Sequence, residues 1–341
     1  MGYLQPLGTP FAAALVLALV LTPAFRALAR PLGYLDRPNP RKPHTRPTPL
    51  LGGAAILVAF AAAVLARGDV RRDLWGILAG ATVVFALGLI DDRRGMHPGV
   101  KLAGQATAAV LVISSGIRVT FLGDGPAGYA FTLVWIVGIT NAFNLLDNMD
   151  GLSAGVGAIS AAGFAVLASR YVLLGWEQHP TAIAAAALAG ACVGFLPYNL
   201  GGASIFMGDA GSMPLGLILA SLAAFGSWRS PALPTSLAIP VLILAYPIFD
   251  TTLVTICRWR DGRPISQGGT DHSSHRLVNL GLGRTEVVIL IYLFAAGNAL
   301  TAFLVSSATI RLSLLALAMS AIILLVFGMI LRRAPIGPRG D

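Results

Sequence analysis

Residues 312–331 run for a full membrane-spanning length without a single charged side chain. About 20 such residues suffice for a helix to cross the hydrocarbon core of a bilayer. Ten further apolar blocks precede this one, near 9–29, 50–66, 74–90, 102–117, 129–145, 152–174, 181–197, 213–228, 236–257 and 286–306. A backbone in lipid must satisfy its own polar groups, which restricts spanning structures to helices and closed barrels. Barrel strands alternate polar and apolar residues, and these blocks are continuous. Only 11% of residues are charged, against about a quarter in soluble chains. The sequence therefore predicts an all-α polytopic integral membrane protein of about eleven transmembrane helices, ten being the alternative count. A single domain over 1–341 is expected. Cys192 and Cys257 both fall in apolar blocks, which argues against a disulfide framework or a thiolate metal site.

An odd number of spans places the termini on opposite sides, so alternate loops can be compared for charge. The loops 26–49, 91–101, 146–151, 198–212 and 258–285, with the tail from Arg332, hold 17 of the 24 Lys and Arg residues. The positive-inside rule makes that face cytoplasmic, with the N-terminus outside and the C-terminus inside. The first block has no basic n-region before it and is expected to stay as a helix. The formal charge of +9 then reflects membrane topology and anionic lipid, and nucleic acid is not expected as a partner. The expected location is the bacterial cytoplasmic (inner) membrane.

Carboxylates gather on the same face as the cations. Asp91, Asp92, Asp147, Asp150, Asp209, Asp250, Asp261 and Asp271 lie in those loops or at the adjoining helix ends. An enzyme handling phosphate with a divalent metal needs both signs, oxygen ligands for a hard cation and Lys or Arg for the phosphate. An ion-coupled transporter is the rival class. Carrier sites usually lie at mid-membrane between repeated halves, whereas here the acids lie at one face and no repeat is visible.

Four motifs carry the chemistry. Asp91-Asp92, followed by Lys101, offers adjacent carboxylates that can share a metal or a proton. The run Asn141, Asn144, Asp147, Asn148, Asp150, Gly151 has polar groups three residues apart, a step that fans across an α-helix. The helix is therefore expected to end within the run, with Gly151 permitting a turn. Its amides and carboxylates suit a metal, nucleoside hydroxyls or base edges. Gly208-Asp209-Ala210-Gly211-Ser212 presents one carboxylate between glycines that allow close backbone approach. Asp271-His272-Ser273-Ser274-His275-Arg276 offers two imidazoles and a guanidinium to phosphate. The zinc reading of this stretch lacks further ligands at metal spacing. Asp250 reads as a buried carboxylate that is either paired to a neighbour or directly functional.

In this order the motifs resemble the polyprenyl-phosphate N-acetylhexosamine-1-phosphate transferases. The resemblance extends from Arg41-Lys42-Pro43-His44, Pro49 and Gly52-Gly53, through Asp91-Asp92 and Lys101-Leu102-Gly104-Gln105, to Pro247-Ile248-Phe249-Asp250 and His272-x-x-His275-Arg276. The undecaprenyl-phosphate α-N-acetylglucosaminyl 1-phosphate transferase branch is more similar than the phospho-MurNAc-pentapeptide branch, whose late motif has three histidines in a row. The resemblance implies transfer of a sugar-1-phosphate, GlcNAc-1-phosphate above all, from a UDP-N-acetylhexosamine to undecaprenyl or another polyprenyl phosphate, with release of UMP. It implies Mg2+, with Mn2+ as the alternative, at Asp209 with Asn144 and Asp92. It makes Asp91, Asp92, Lys101, His272 and His275 catalytic, and His44, Asn141, Asp147, Asp150, Gly151 and Arg276 substrate-binding. The resemblance also carries homodimers among its members. Asn148, Leu50 and Ser274 depart from the usual pattern, which expects Gly, a basic residue and a further His there.

Overall fold

The computed structural model describes residues 5–38, 46–68, 70–119, 122–123, 125–226, 228, 237–265 and 269–335. Its helices group into two compact units, 1–227 and 228–341, and each is described by itself. The first contains α1 (Gln5–Leu32), a two-residue hairpin of β1 (Leu35–Asp36) and β2 (Thr48–Pro49), α2 (Gly52–Leu65), α3 (Arg72–Arg94), α4 (Pro98–Ser114), α5 (Pro126–Leu146), α6 (Leu152–Leu173), α7 (His179–Asn199) and α8 (Asp209–Phe225). The second contains α9 (Ala238–Ile243), α10 (Ala245–Arg260), α11 (Ser273–Asn279), α12 (Arg284–Val305) and α13 (Ile310–Arg332).

Each of the eleven predicted apolar blocks coincides with helical structure. The ninth is broken at Leu244 into α9 and α10, where Pro247 has no N–H to return to Ile243. Among the described residues, α3, α5, α6, α7, α12, α13 and α1 from Leu7 are long and apolar enough to cross a membrane, while α2, α4 and α8 are shorter. The chain is thus a polytopic helical membrane protein.

Small residues set the helix spacing in the first unit. A side chain on Gly190 of α7 would strike the Phe11 carbonyl of α1, and one on Gly88 of α3 would strike the α8 backbone at Ala210. Apolar surface gives little drive between helices in lipid, so such close backbone contact takes its place. The buried helices α6, α7 and α8 form the centre of this unit. In the second unit Tyr246, Phe249, Phe294 and Phe327 form an aromatic cluster with centroids 5.5–6.4 Å apart. One turn away, Ser320 Oγ donates to Asn298 Oδ1 at 2.7 Å, a polar tie between α12 and α13.

Candidate active site

The site begins with a sharp turn. Phe206 N–H donates to the Pro49 carbonyl at 2.8 Å, while Gly52 and Gly53 donate to the carbonyls of Phe206 and Met207, each at 3.0 Å. These bonds hold the segment before α8 against the start of α2. Gly208 then turns with φ +70°, and a Cβ there would lie 2.6 Å from Asp92 Oδ2. Only glycine fits both the backbone and the space. Directly after it, Asp92 accepts from the N–H groups of Asp209 at 2.8 Å and Ala210 at 3.0 Å, satisfying two orphan donors of α8.

Asp91, the neighbour of that capping residue, faces another way. Its Oδ2 lies 2.8 Å from Lys101 Nζ, and Lys101 also pairs with Asp209 Oδ2. Asn144 Nδ2 donates to Asp209 Oδ1 at 2.8 Å and to Ser212 Oγ at 3.0 Å. Helices α3, α4, α5 and α8 thus converge on one cluster of Asp91, Asp92, Lys101, Asn144, Asp209 and Ser212. One turn further along, Asn141 donates to Gln105 Oε1 at 2.6 Å and Gln105 returns a bond to Asn141 Oδ1 at 3.3 Å.

The Asn/Asp run divides as its spacing requires. Helix α5 ends at Leu146 and Gly151 has φ +77°. Asp147 is half-buried in the turn between them, outside both helices. Burial, followed by the charges of Asp209, Asp92 and Asp150, holds its carboxyl well above the usual range. Asp150 Oδ2 accepts from Gly202 N–H at 3.2 Å and Ala203 N–H at 2.9 Å, and Asn199 Oδ1 accepts from Gly151 N–H at 2.9 Å. Two loops are thereby stapled together beside the cluster.

Of the remaining candidates, His44 lies outside the described residues. His272, His275 and Arg276 belong to the second unit, where His272 Nδ1 meets Asp250 Oδ2 at 2.7 Å. Ser273 donates to Asp250 Oδ1 through its N–H at 2.7 Å and also through its hydroxyl. Arg276 is 1% exposed, with Nε donating to the Asp271 carbonyl at 2.8 Å and Nη1 to the Leu331 carbonyl at 3.0 Å. Asp271 receives Arg258 bidentately, at 2.9 and 2.7 Å. Burial would raise the Asp271 carboxyl, but Arg258 outweighs it and brings it down to about 2. His275 is brought down to about 4 by burial and then by the charges of His272 and Arg284, so it is neutral at pH 7. Its neighbours His272 and Arg276 are held by protein partners.

Reading the sequence quoted Gln105, Ser212 and Asp271 within its motifs without giving them a role of their own, and it did not single out Asn199 or the pairing of Arg258 with Asp271. The spacing held a signal for two of them. Gln105 lies one helical turn from Lys101, and Ser212 lies three residues after Asp209, so each shares a face with a residue already singled out.

The first-unit cluster suits a hard cation by charge and donor type. Asp91 and Asp209 share the Lys101 ammonium, and Asp147 is near enough to Asp209 and Asp92 for their charges to raise its carboxyl. No three Asp, Glu, His or Cys side chains among the described residues converge closely enough to hold a metal alone. Mg2+ usually takes one or two carboxylates and completes its shell with water and substrate phosphate. Asp209, Asn144 and Asp92 are the side chains that would hold it. Asp92 accepts one α8 amide on each oxygen, as Asp209 accepts Asn144 on one and Lys101 on the other, and each oxygen retains a lone pair.

The profile of Glycosyl transferase family 4 matches residues 74–227, the stretch that supplies every residue of this cluster. A probable undecaprenyl-phosphate N-acetylglucosaminyl 1-phosphate transferase of Bacillus subtilis is 37% identical over 314 residues, covering 89% of this chain and 86% of the relative. A decaprenyl-phosphate N-acetylglucosaminephosphotransferase of Mycolicibacterium smegmatis is 33% identical over 353 residues, covering 92% and 86%. The undecaprenyl-phosphate α-N-acetylglucosaminyl 1-phosphate transferase of Escherichia coli K12 is 27% identical over 289 residues, covering 80% and 76%. With these likenesses extending far beyond the cluster, the chain belongs to the polyprenyl-phosphate N-acetylhexosamine-1-phosphate transferase family.

Proposed function

We propose that this protein transfers GlcNAc-1-phosphate from UDP-GlcNAc to a polyprenyl phosphate, giving the polyprenyl-diphosphate sugar and UMP. The observation that carries the reading is the Lys101 ammonium held between Asp91 and Asp209 beside Asn144, an arrangement drawn from four helices. The names of the relatives supply the substrate class. A phosphate oxygen of the lipid attacks the sugar-proximal phosphorus, a P–O bond forms, and the bond to UMP breaks. Positioning and charge stabilisation dominate such transfers. Lys101 gives a phosphate oxygen an ammonium partner. Asp91 or Asp92 is the carboxylate that keeps the lipid phosphate deprotonated. Mg2+ held at Asp209 would neutralise charge on the diphosphate and on departing UMP.

Asp147 and the Asp150–Gly151 turn form the nucleoside side of the same site. In the second unit His275 is the imidazole assigned to substrate phosphate, as a neutral donor. The topology proposed with it, eleven crossings and the N-terminus outside, would turn the cluster toward the cytoplasmic face of the inner membrane, where the anionic head of a polyprenyl phosphate would meet it. A homodimer is the proposed assembly.

The test is UMP release by detergent-solubilised protein supplied with UDP-GlcNAc, Mg2+ and undecaprenyl phosphate, omitting each in turn. Release that needs all three supports the reading. Release without lipid phosphate points instead to a covalent sugar-phosphate on the enzyme, and no release across a panel of UDP-hexosamines overturns the assignment.

A further inference from the structure

The catalytic cluster stands on a second tier of side chains that none of the proposed chemistry uses. Gln105 follows Lys101 by one turn on α4, Asn141 precedes Asn144 by one turn on α5, and Met213 follows Asp209 by one turn on α8. The upper tier joins Lys101, Asn144 and Asp209. The lower tier joins Gln105, Asn141 and Met213: the two amides exchange bonds of 2.6 and 3.3 Å, and Gln105 Nε2 also lies 3.4 Å from Met213 Sδ. Asn141 Nδ2 gives a further bond to the Val137 carbonyl at 2.9 Å. Gln105 is 1% exposed.

Gly104 on α4 packs on Leu87 of α3, and Gly216 on α8 packs on the backbone of Thr140 in α5. These contacts fix how near the helices come, but a smooth small-residue contact lets a helix roll about its axis. A pair of amides exchanging two bonds does not. Buried amides that lose a partner bear a full desolvation cost, so rolling α4 is disfavoured as long as both are present.

We propose that Gln105 is a positioning residue, and that its amide clamp on Asn141 sets the rotation of α4 that holds Lys101 between Asp91 and Asp209. Asn141 accordingly belongs to the support of the site, and its amide faces Gln105 instead of a nucleoside. The kinetic part of this inference rests on the transferase reading. The geometric part does not.

The experiment reads Lys101 directly. Purified protein in detergent is treated briefly with an amine-acylating reagent, and labelling of the Lys101 peptide is quantified by mass spectrometry in the wild type, Gln105→Leu and the double variant Gln105→Leu/Asn141→Leu, with thermal unfolding recorded for each. The double variant removes both amides and leaves none stranded. Both variants are expected to unfold within a few degrees of the wild type with Lys101 labelled about tenfold faster, the factor matching loss of one net hydrogen bond. They are also expected to lower kcat for UMP release while KM for UDP-GlcNAc stays put. Unchanged labelling in the folded variants overturns the proposal. So does failure of both to fold, which makes the clamp a stability element alone, or a rise in KM specific to replacement of Asn141, which returns Asn141 to the nucleoside. Absence of UMP release in the wild type would sink the transferase reading and leave the labelling result to decide the geometry.

Discussion

Asp92 caps the helix that Asp209 begins: its two carboxylate oxygens take the backbone N–H groups of Asp209 and Ala210 at 2.8 and 3.0 Å. The adjacent carboxylates of the Asp91-Asp92 pair thus divide their work, one to an ammonium and one to a helix end. Asp92→Ala should cost about 1 kcal/mol of stability, as loss of a helix cap does, and Asp92→Asn less, since an amide oxygen still accepts. Thermal unfolding in detergent measures both. An unchanged midpoint for Asp92→Ala would free this carboxylate for chemistry.

Asp209→Asn keeps the size and the Asn144 contact of the side chain but removes its charge. UMP release should fall by about 10²–10³, the usual loss when one preorganised charge-stabilising group is removed, with the unfolding midpoint little changed. Near-normal turnover would take Asp209 out of the site.

Chelation should act on turnover and spare the fold, since ion pairs and hydrogen bonds of Asp91, Asp92, Lys101 and Asn144 already join the helices of the cluster. Excess EDTA is expected to stop UMP release, and added Mg2+ to restore it, with the unfolding curve moving little. Full activity after exhaustive chelation would exclude a divalent cation from the reaction.

The second unit should lose stability in two acid windows. His275 has a folded value near 4, below the usual value of about 6.5. The unfolded chain therefore binds the proton more readily, and stability falls as pH drops from about 6.5 to 4. Asp271, near 2 against about 3.9 unfolded, contributes its stability above pH 4 and loses it as pH falls toward 2. Melting curves for His275→Gln and Asp271→Asn, taken as differences from the wild type across pH 7 to 2, should each flatten in the matching window. Parallel curves would show that these groups do not drive acid unfolding.

The Ser320–Asn298 bond ties two helices that otherwise present mainly apolar residues. Asn298→Leu should destabilise the fold by about 0.6–1.7 kcal/mol, the range for hydrogen bonds between helices in lipid. A stabilised protein would mean that packing at this position outweighs the tie.

Much of the first unit was legible in the sequence because long apolar blocks leave a lipid-embedded backbone few options, and each block became helix. The end of α5 at Leu146 could be anticipated, because a polar step of three cannot stay on one helix face. What could not be read was direction within a motif. Asp91 and Asp92 are adjacent and chemically alike, and only the arrival of the α8 N-terminus separates the ion-pairing residue from the capping one. Asp250, His272 and Ser273 form another such case. Either a buried structural role or direct chemistry suited Asp250, and its bonds to His272 and to the Ser273 backbone give it a buried, paired role.

The passage of Gly53 along Gly211 and of Gly88 along Ala210 leaves no space for a side chain on either glycine. For descent with modification this means that the distances of α2 and α3 from α8 cannot drift by small steps. A single added methyl must push whole backbones apart, and no rotamer on the neighbouring chain can yield to it. Change at either crossing would then have to move two helices together, in one step.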